Sequence, residues 1–95
     1  MNQSLALAKI KTIIRTYLPD QSYRLFLFGS RVAGYAKPYS DFDIGIAGPR
    51  VPQITIGTIK DALEESNLPY KVDVVDFTDV SDTFRVHAEK YSQTL

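Results

Sequence analysis

The residues best suited to chemistry are three aspartates and one glycine-serine turn. Asp41 and Asp43 lie two apart in the alternating stretch Asp41–Ala47, which reads as a strand, so both carboxylates leave the same face. Neighbouring carboxylates repel one another unless a cation lies between them. Their apolar neighbours Phe42, Ile44 and Ile46 place this strand at least half inside the protein. With oxygen ligands, no cysteine and one histidine, the cation expected there is Mg2+ or Mn2+ rather than zinc. A third carboxylate, Asp73, interrupts the apolar run Lys71–Phe77, where an aspartate serves no packing purpose. If that run neighbours Asp41–Ala47, the three form a cluster for two metal ions about 3.5–4 Å apart. Such a pair stabilises both the attacking and the leaving oxygen of an in-line phosphoryl displacement. Asp76 lies three residues beyond Asp73, so the pleat turns it to the opposite face and out of the cluster.

Gly29-Ser30-Arg31 supplies the complementary half. A glycine after a strand lets the backbone approach a phosphate closely, and the free N–H groups of the turn bind anions. Ser30 adds a hydroxyl and Arg31 a forked cation; Lys37 is a second cation on the loop that follows. A phosphate grip beside a metal cluster describes a nucleoside triphosphate site. Bland readings stand beside each of these. A Gly-Ser is commonly only a turn, Asp73 has Lys71 and Arg24 as ion-pair partners within reach of its strand, and Arg31 can be a surface residue of a short helix. Tyr35 and Tyr39 read as interface or plain surface residues, with base stacking by one of them as the alternative, Tyr17 and Tyr70 as core or edge packing, and His87 as an ordinary helix residue.

The positioning elements follow from periodicity. Leu7, Ile10, Ile14, Tyr17 and Leu18 recur at helical spacing over Ser4–Leu18, with Ser4 as N-cap and Pro19-Asp20 as the stop. Tyr23–Phe28 is a strand ending at Gly29-Ser30, and residues 31–40, with Gly34 and Pro38, hold at most one helical turn. Gln53–Ser66 forms a second long helix with Ile56, Ile59 and Leu63 inward and Asp61, Glu64 and Glu65 outward. Lys71–Phe77 is a strand, and 81–91 a final helix with Phe84 and Ala88 on one side. The order α-β-β-α-β-α predicts a small α/β (α+β) fold, a mixed β-sheet with helices packed on it, and residues 1–95 read as a single domain.

Gly29-Ser30, ten intervening residues, then Asp41-x-Asp43 resembles the Gly-Ser-x10-Asp-x-Asp signature of DNA polymerase β-like nucleotidyltransferases. The surrounding FGSRVAG…SDFDIGI and the later LPYKVDVVDF resemble the minimal nucleotidyltransferase (MNT) family over nearly the whole chain. The resemblance implies that Gly29 and Ser30 hold the triphosphate. It implies that Asp41 and Asp43 bind magnesium, and that Asp73 completes the cluster and helps deprotonate an acceptor hydroxyl. It implies a prokaryotic, cytoplasmic protein that pairs with a helical HEPN-domain partner. The activity implied is transfer of a nucleoside monophosphate, AMP from Mg-ATP or its counterpart from another NTP, to a hydroxyl of that partner. The chain would then be the antitoxin to a HEPN toxin. The competing reading is a non-catalytic antitoxin or nucleotide-binding subunit that acts by contact alone. The chain departs from its relatives at Ala88 and Ser92, where they carry a bulky aliphatic residue and a glycine.

Composition closes off other classes. Ninety-five residues with equal numbers of acidic and basic side chains, eleven each, argue against non-specific DNA binding, which rests on neutralised phosphates. The longest apolar run, Leu25–Phe28, is too short for a membrane span, and Lys9 and Lys11 break the pattern of a signal peptide. There is no Gly-x4-Gly-Lys-Ser/Thr run for a P-loop. The neutrality is a cancellation: residues 1–40 carry six Lys/Arg against one Asp, and 41–95 carry five against ten Asp/Glu. The basic part holds the expected phosphate grip, the acidic part the expected metal ligands.

Overall fold

The computed structural model describes residues 1–95. Helix α1 (Gln3–Tyr17) leads into strand β1 (Arg24–Phe28), a single helical turn α2 (Ser30–Ala33) and strand β2 (Phe42–Ala47). Helix α3 (Gln53–Glu65), strand β3 (Val72–Asp76), helix α4 (Asp82–Lys90) and a two-residue strand β4 (Gln93–Thr94) complete the chain. The sheet order is β3-β2-β1-β4; β2 runs antiparallel to β1 and parallel to β3, and β4 antiparallel to β1. The mixed sheet with packed helices is the architecture expected, with β4 added. No helix is long and apolar enough to cross a membrane.

Strand alternation divides the core between the two faces of the sheet. Leu25 and Leu27 of β1, Phe42, Ile44 and Ile46 of β2 and Val74 of β3 pack with Ala6, Ile10 and Ile14 of α1 and Ile59 and Leu63 of α3. Burying each large side chain of this layer contributes about 1.5–3 kcal/mol. The other face is smaller and aromatic: Phe26 and Phe28 of β1 meet Phe77, and Ala88 of α4 joins them. Phe84 of α4 lies edge-on to Phe28, ring centroids 6.0 Å apart, so α4 docks through the two residues assigned to its inner side. Gly45 makes room for this stack, since a Cβ there would fall inside the rings of Phe26 and Phe77.

Two boundaries differ from expectation. Helix α1 begins before Ser4, because the Asn2 side chain accepts from Leu5 N at 2.8 Å and is the N-cap. The final residues also form β4, which pairs with Phe26 and Leu27 and delivers Leu95 N to Leu25 O at 3.0 Å.

Candidate active site

The register of the sheet places Phe28, Asp43 and Asp73 in one row, since Phe28 pairs with Asp43 across β1–β2 and Asp43 with Asp73 across β2–β3. Paired residues share a face, so both carboxylates stand on the aromatic side of the sheet. Asp41 lies one residue ahead of β2 rather than within it, and it is exposed, as is Asp73, while Asp43 is half-buried. Burial pushes the Asp43 carboxyl above the usual carboxylate range, and the charges of Asp73 and then Asp41 push it the same way. The protein offers no compensating cation. Its ion pairs are Arg50–Asp79 and Arg85–Asp82, so Asp73 pairs with neither Lys71 nor Arg24.

Gly29 closes one side of this row. Its φ of +81° belongs to the left-handed half of backbone space, where glycine is free of strain. A Cβ at this position would collide with the carboxylate of Asp43, so the turn and the acid are in direct apposition. Gly29 is also the N-cap of α2; its carbonyl accepts from Val32 N at 3.1 Å and Ala33 N at 3.0 Å. The Gly29-Ser30 turn and Asp43 are therefore brought together, and Ser30 remains partly accessible.

Arg31 is placed differently from expectation. Its Nε and Nη2 donate to Ser40 O at 3.0 and 2.6 Å, Nη2 also to Pro38 O at 3.2 Å, and Nη1 to Gln3 Oε1 at 3.2 Å. The guanidinium lies 3.9 Å from the centroid of the Phe42 ring and 5.0 Å from that of Tyr70. A desolvated contact of this kind is worth about 2 kcal/mol. With its N–H groups committed to protein acceptors, Arg31 is not disposed to fork onto a phosphate. Gln3 and Tyr70, its partners, carry no sequence signal for this role, because neither lies near the motif in the chain.

Asp76 occupies the opposite face, as strand parity requires. It is buried, and its carboxylate accepts from Val51 N at 2.9 Å, Thr78 N at 2.9 Å and the Thr78 hydroxyl at 2.8 Å. Burial alone would raise its pKa; the hydrogen bonds from Thr78 and Val51, with Arg50 nearby, outweigh that and leave it lowered. It is a structural acid.

As arranged, no group of three acidic or histidine side chains converges closely enough to hold a metal ion. The donor chemistry nonetheless suits a hard divalent cation: three carboxylates, one of them half-buried and raised by burial first and then by the charges of the other two, none of them in an ion pair. Asp73 also borders a cavity of about 460 Å3, lined among others by Lys60, Tyr70 and Lys71, at the open edge of β3. A cavity of similar size, about 470 Å3, lies between α1 and α3, away from all three aspartates.

A glycine turn in contact with a carboxylate that has no ion-pair partner, on a mixed sheet with packed helices, is the arrangement expected of a nucleotidyltransferase. The chain belongs to the polymerase β nucleotidyltransferase family: the family model described as "Polymerase beta, Nucleotidyltransferase" matches residues 8–95. It is 40% identical over 84 residues to the "Probable protein adenylyltransferase MntA" of Haemophilus influenzae, covering 87% of this chain and 72% of that protein. Among solved structures, a toxin–antitoxin crystal structure with AMP-PNP superposes with a TM-score of 0.72 at 25% identity, over 92% of this chain and 69% of that one. A complex of a tri-AMPylated Shewanella oneidensis HEPN toxin with an MNT antitoxin contains a chain of the same fold. There the TM-score is 0.70 at 24% identity, over 98% of this chain and 71% of that one.

Proposed function

We propose that residues 1–95 act as a single domain that transfers AMP from ATP to a hydroxyl of a HEPN-domain partner protein, and that this transfer makes the chain the partner's antitoxin. The observation that carries the reading is the apposition of the Gly29 turn and Asp43, with Asp73 paired to Asp43 across β2–β3. The kinship with MntA and with an antitoxin bound to an AMPylated toxin supports the choice of AMP and of acceptor.

Gly29 and Ser30 hold the β- and γ-phosphates through backbone N–H groups and the Ser30 hydroxyl. Asp41, Asp43 and Asp73 would hold two Mg2+ ions, with Mn2+ as a substitute. When bound, the metal supplies positive charge to the phosphoryl oxygens during in-line displacement at the α-phosphorus. Asp73, exposed on the strand edge, faces the approaching acceptor and takes the proton of its hydroxyl. The acceptor oxygen then bonds to the α-phosphorus as the bond to the β-phosphate oxygen breaks and pyrophosphate leaves. Tyr35 and Tyr39, on the segment of chain between the glycine turn and Asp41, are exposed and suit contact with a partner. A cytoplasmic location accords with this chemistry.

The test is incubation of the chain with α-labelled ATP, Mg2+ and the protein encoded beside it. Label passes to that neighbour, and Asp41→Asn with Asp43→Asn lowers the rate by roughly 10³-fold or more, since several kcal/mol of charge stabilisation are lost. Absence of label from the wild-type reaction with every nucleotide tried would sink the transferase reading. Neutralisation of a toxic neighbour by the double variant in cells would establish action by contact alone.

A further inference from the structure

We propose that Arg31 is a positioning residue of the transfer site, a clamp that fixes the approach of the chain to Asp41 and so sets the spacing between Asp41 and the Asp43–Asp73 pair. The inference rests on the reading of these aspartates as the reacting carboxylates. The guanidinium grips both sides of Asp41. On one side, Nε and Nη2 converge on Ser40 O, the carbonyl immediately before it. On the other, the planar group lies against the ring of Phe42, the residue immediately after it, which is fully buried.

Beyond Asp41 the chain is also held by the sheet, where Phe42 N donates to Lys71 O at 2.9 Å; ahead of Asp41 no other group performs this task. Within residues 35–41 the remaining hydrogen bonds are local: Ser40 N to Lys37 O at 3.0 Å and Lys37 N to Ser40 Oγ at 2.8 Å. The hydrogen bonds that tie this loop to the rest of the protein are those from Arg31 to Pro38 O and Ser40 O. Arg31 is itself anchored, through Nη1 to Gln3 at the start of α1 and through Tyr70, whose ring meets Phe42 edge-on at 5.0 Å. Lysine cannot reproduce this, because an ammonium is a point charge without the fork or the flat face. A phosphate ligand would tolerate lysine; a clamp does not.

The experiment compares wild type, Arg31→Lys, Arg31→Ala and Tyr70→Leu by amide hydrogen exchange, with steady-state labelling as the second readout. The expected result is exchange about tenfold faster at Lys37 and Ser40, whose amides bond only within the loop, in both Arg31 variants, with Phe42, held by Lys71 O, and α3 unchanged. In both, kcat falls at least tenfold while KM for ATP stays within about threefold. Tyr70→Leu keeps the charge and every donor of Arg31 while removing one wall of its seat, and speeds loop exchange severalfold; it serves if an Arg31 variant fails to fold. Full retention of kcat and loop protection by Arg31→Lys, or a tenfold rise in KM with exchange unchanged, overturns the clamp. The exchange comparison needs no acceptor, so it decides this inference even if the wild-type chain labels no partner.

Discussion

Asp43 and Asp76 sit on neighbouring parallel strands, three register positions apart, and their surroundings are opposite. Asp76 turns into the aliphatic face and has three donors around it: Val51 N, Thr78 N and the Thr78 hydroxyl. Its pKa is lowered although burial works against that. Asp43 turns to the aromatic face, where burial and two like charges raise its pKa and no cation pairs with it. A buried carboxylate with satisfied lone pairs contributes stability; one left unsatisfied costs stability and persists where a ligand supplies the missing partner. The same residue type in the same sheet is thus a satisfied joint in one place and a carboxylate without a partner in the other, the one proposed to react.

The contrast is most severely tried by Asp76→Ala. Removing this acid leaves the buried N–H of Val51 without an acceptor and should cost about 1.5–3 kcal/mol, a fall in Tm on the order of 10 °C for a chain of this size, measured by thermal denaturation. Nucleotidyl transfer below the new melting range should persist, and a variant as stable as wild type would remove Asp76 from its structural role. A smaller effect is expected from acid. The folded-state pKa of Asp76 is depressed, so its contribution is present above the ordinary carboxylate value of about 3.9 and is lost as pH falls through the folded pKa. The gap in Tm between wild type and Asp76→Ala should therefore narrow between pH 5 and pH 2. The smallest change has the opposite sign. The folded-state pKa of Asp43 is raised, so its charge weakens the fold once pH rises through that value. Asp43→Asn should melt slightly higher than wild type at pH 7 without added metal and equally at pH 3. Millimolar Mg2+ should stabilise wild type more than the variant. A lower Tm for Asp43→Asn at pH 7 would place Asp43 among the structural acids.

The elements were legible where one local pattern dominated. The 3.6-residue spacing of Leu7, Ile10 and Ile14 marks α1, and alternation in β2 separates Ile44 and Ile46 from Asp43 without any knowledge of what packs on either side. The count of three between Asp73 and Asp76 likewise assigns them to opposite faces. Legibility failed where two local solutions compete or where a partner is distant. Asn2 and Ser4 are both good N-caps, and the helix begins at the first of them. Strand β4 has only two residues, too few for a pattern, and exists because the edge of β1 is open to it. The forked cation of Arg31 beside the Gly29-Ser30 turn suggested a phosphate role, yet its donors turn inward to Gln3, Pro38 and Ser40.

Residue type and spacing along the chain therefore pointed to the family, through a glycine turn and three acids at the spacing of a nucleotidyltransferase. Strand parity and the ten-residue link from Ser30 to Asp41 are short-range covalent facts that any fold of this chain must respect. Which acid is satisfied and which is left without a partner was decided in three dimensions. Val51 reaches Asp76 across 25 positions and Gln3 reaches Arg31 across 28, and no local pattern reports a hydrogen bond between residues so far apart.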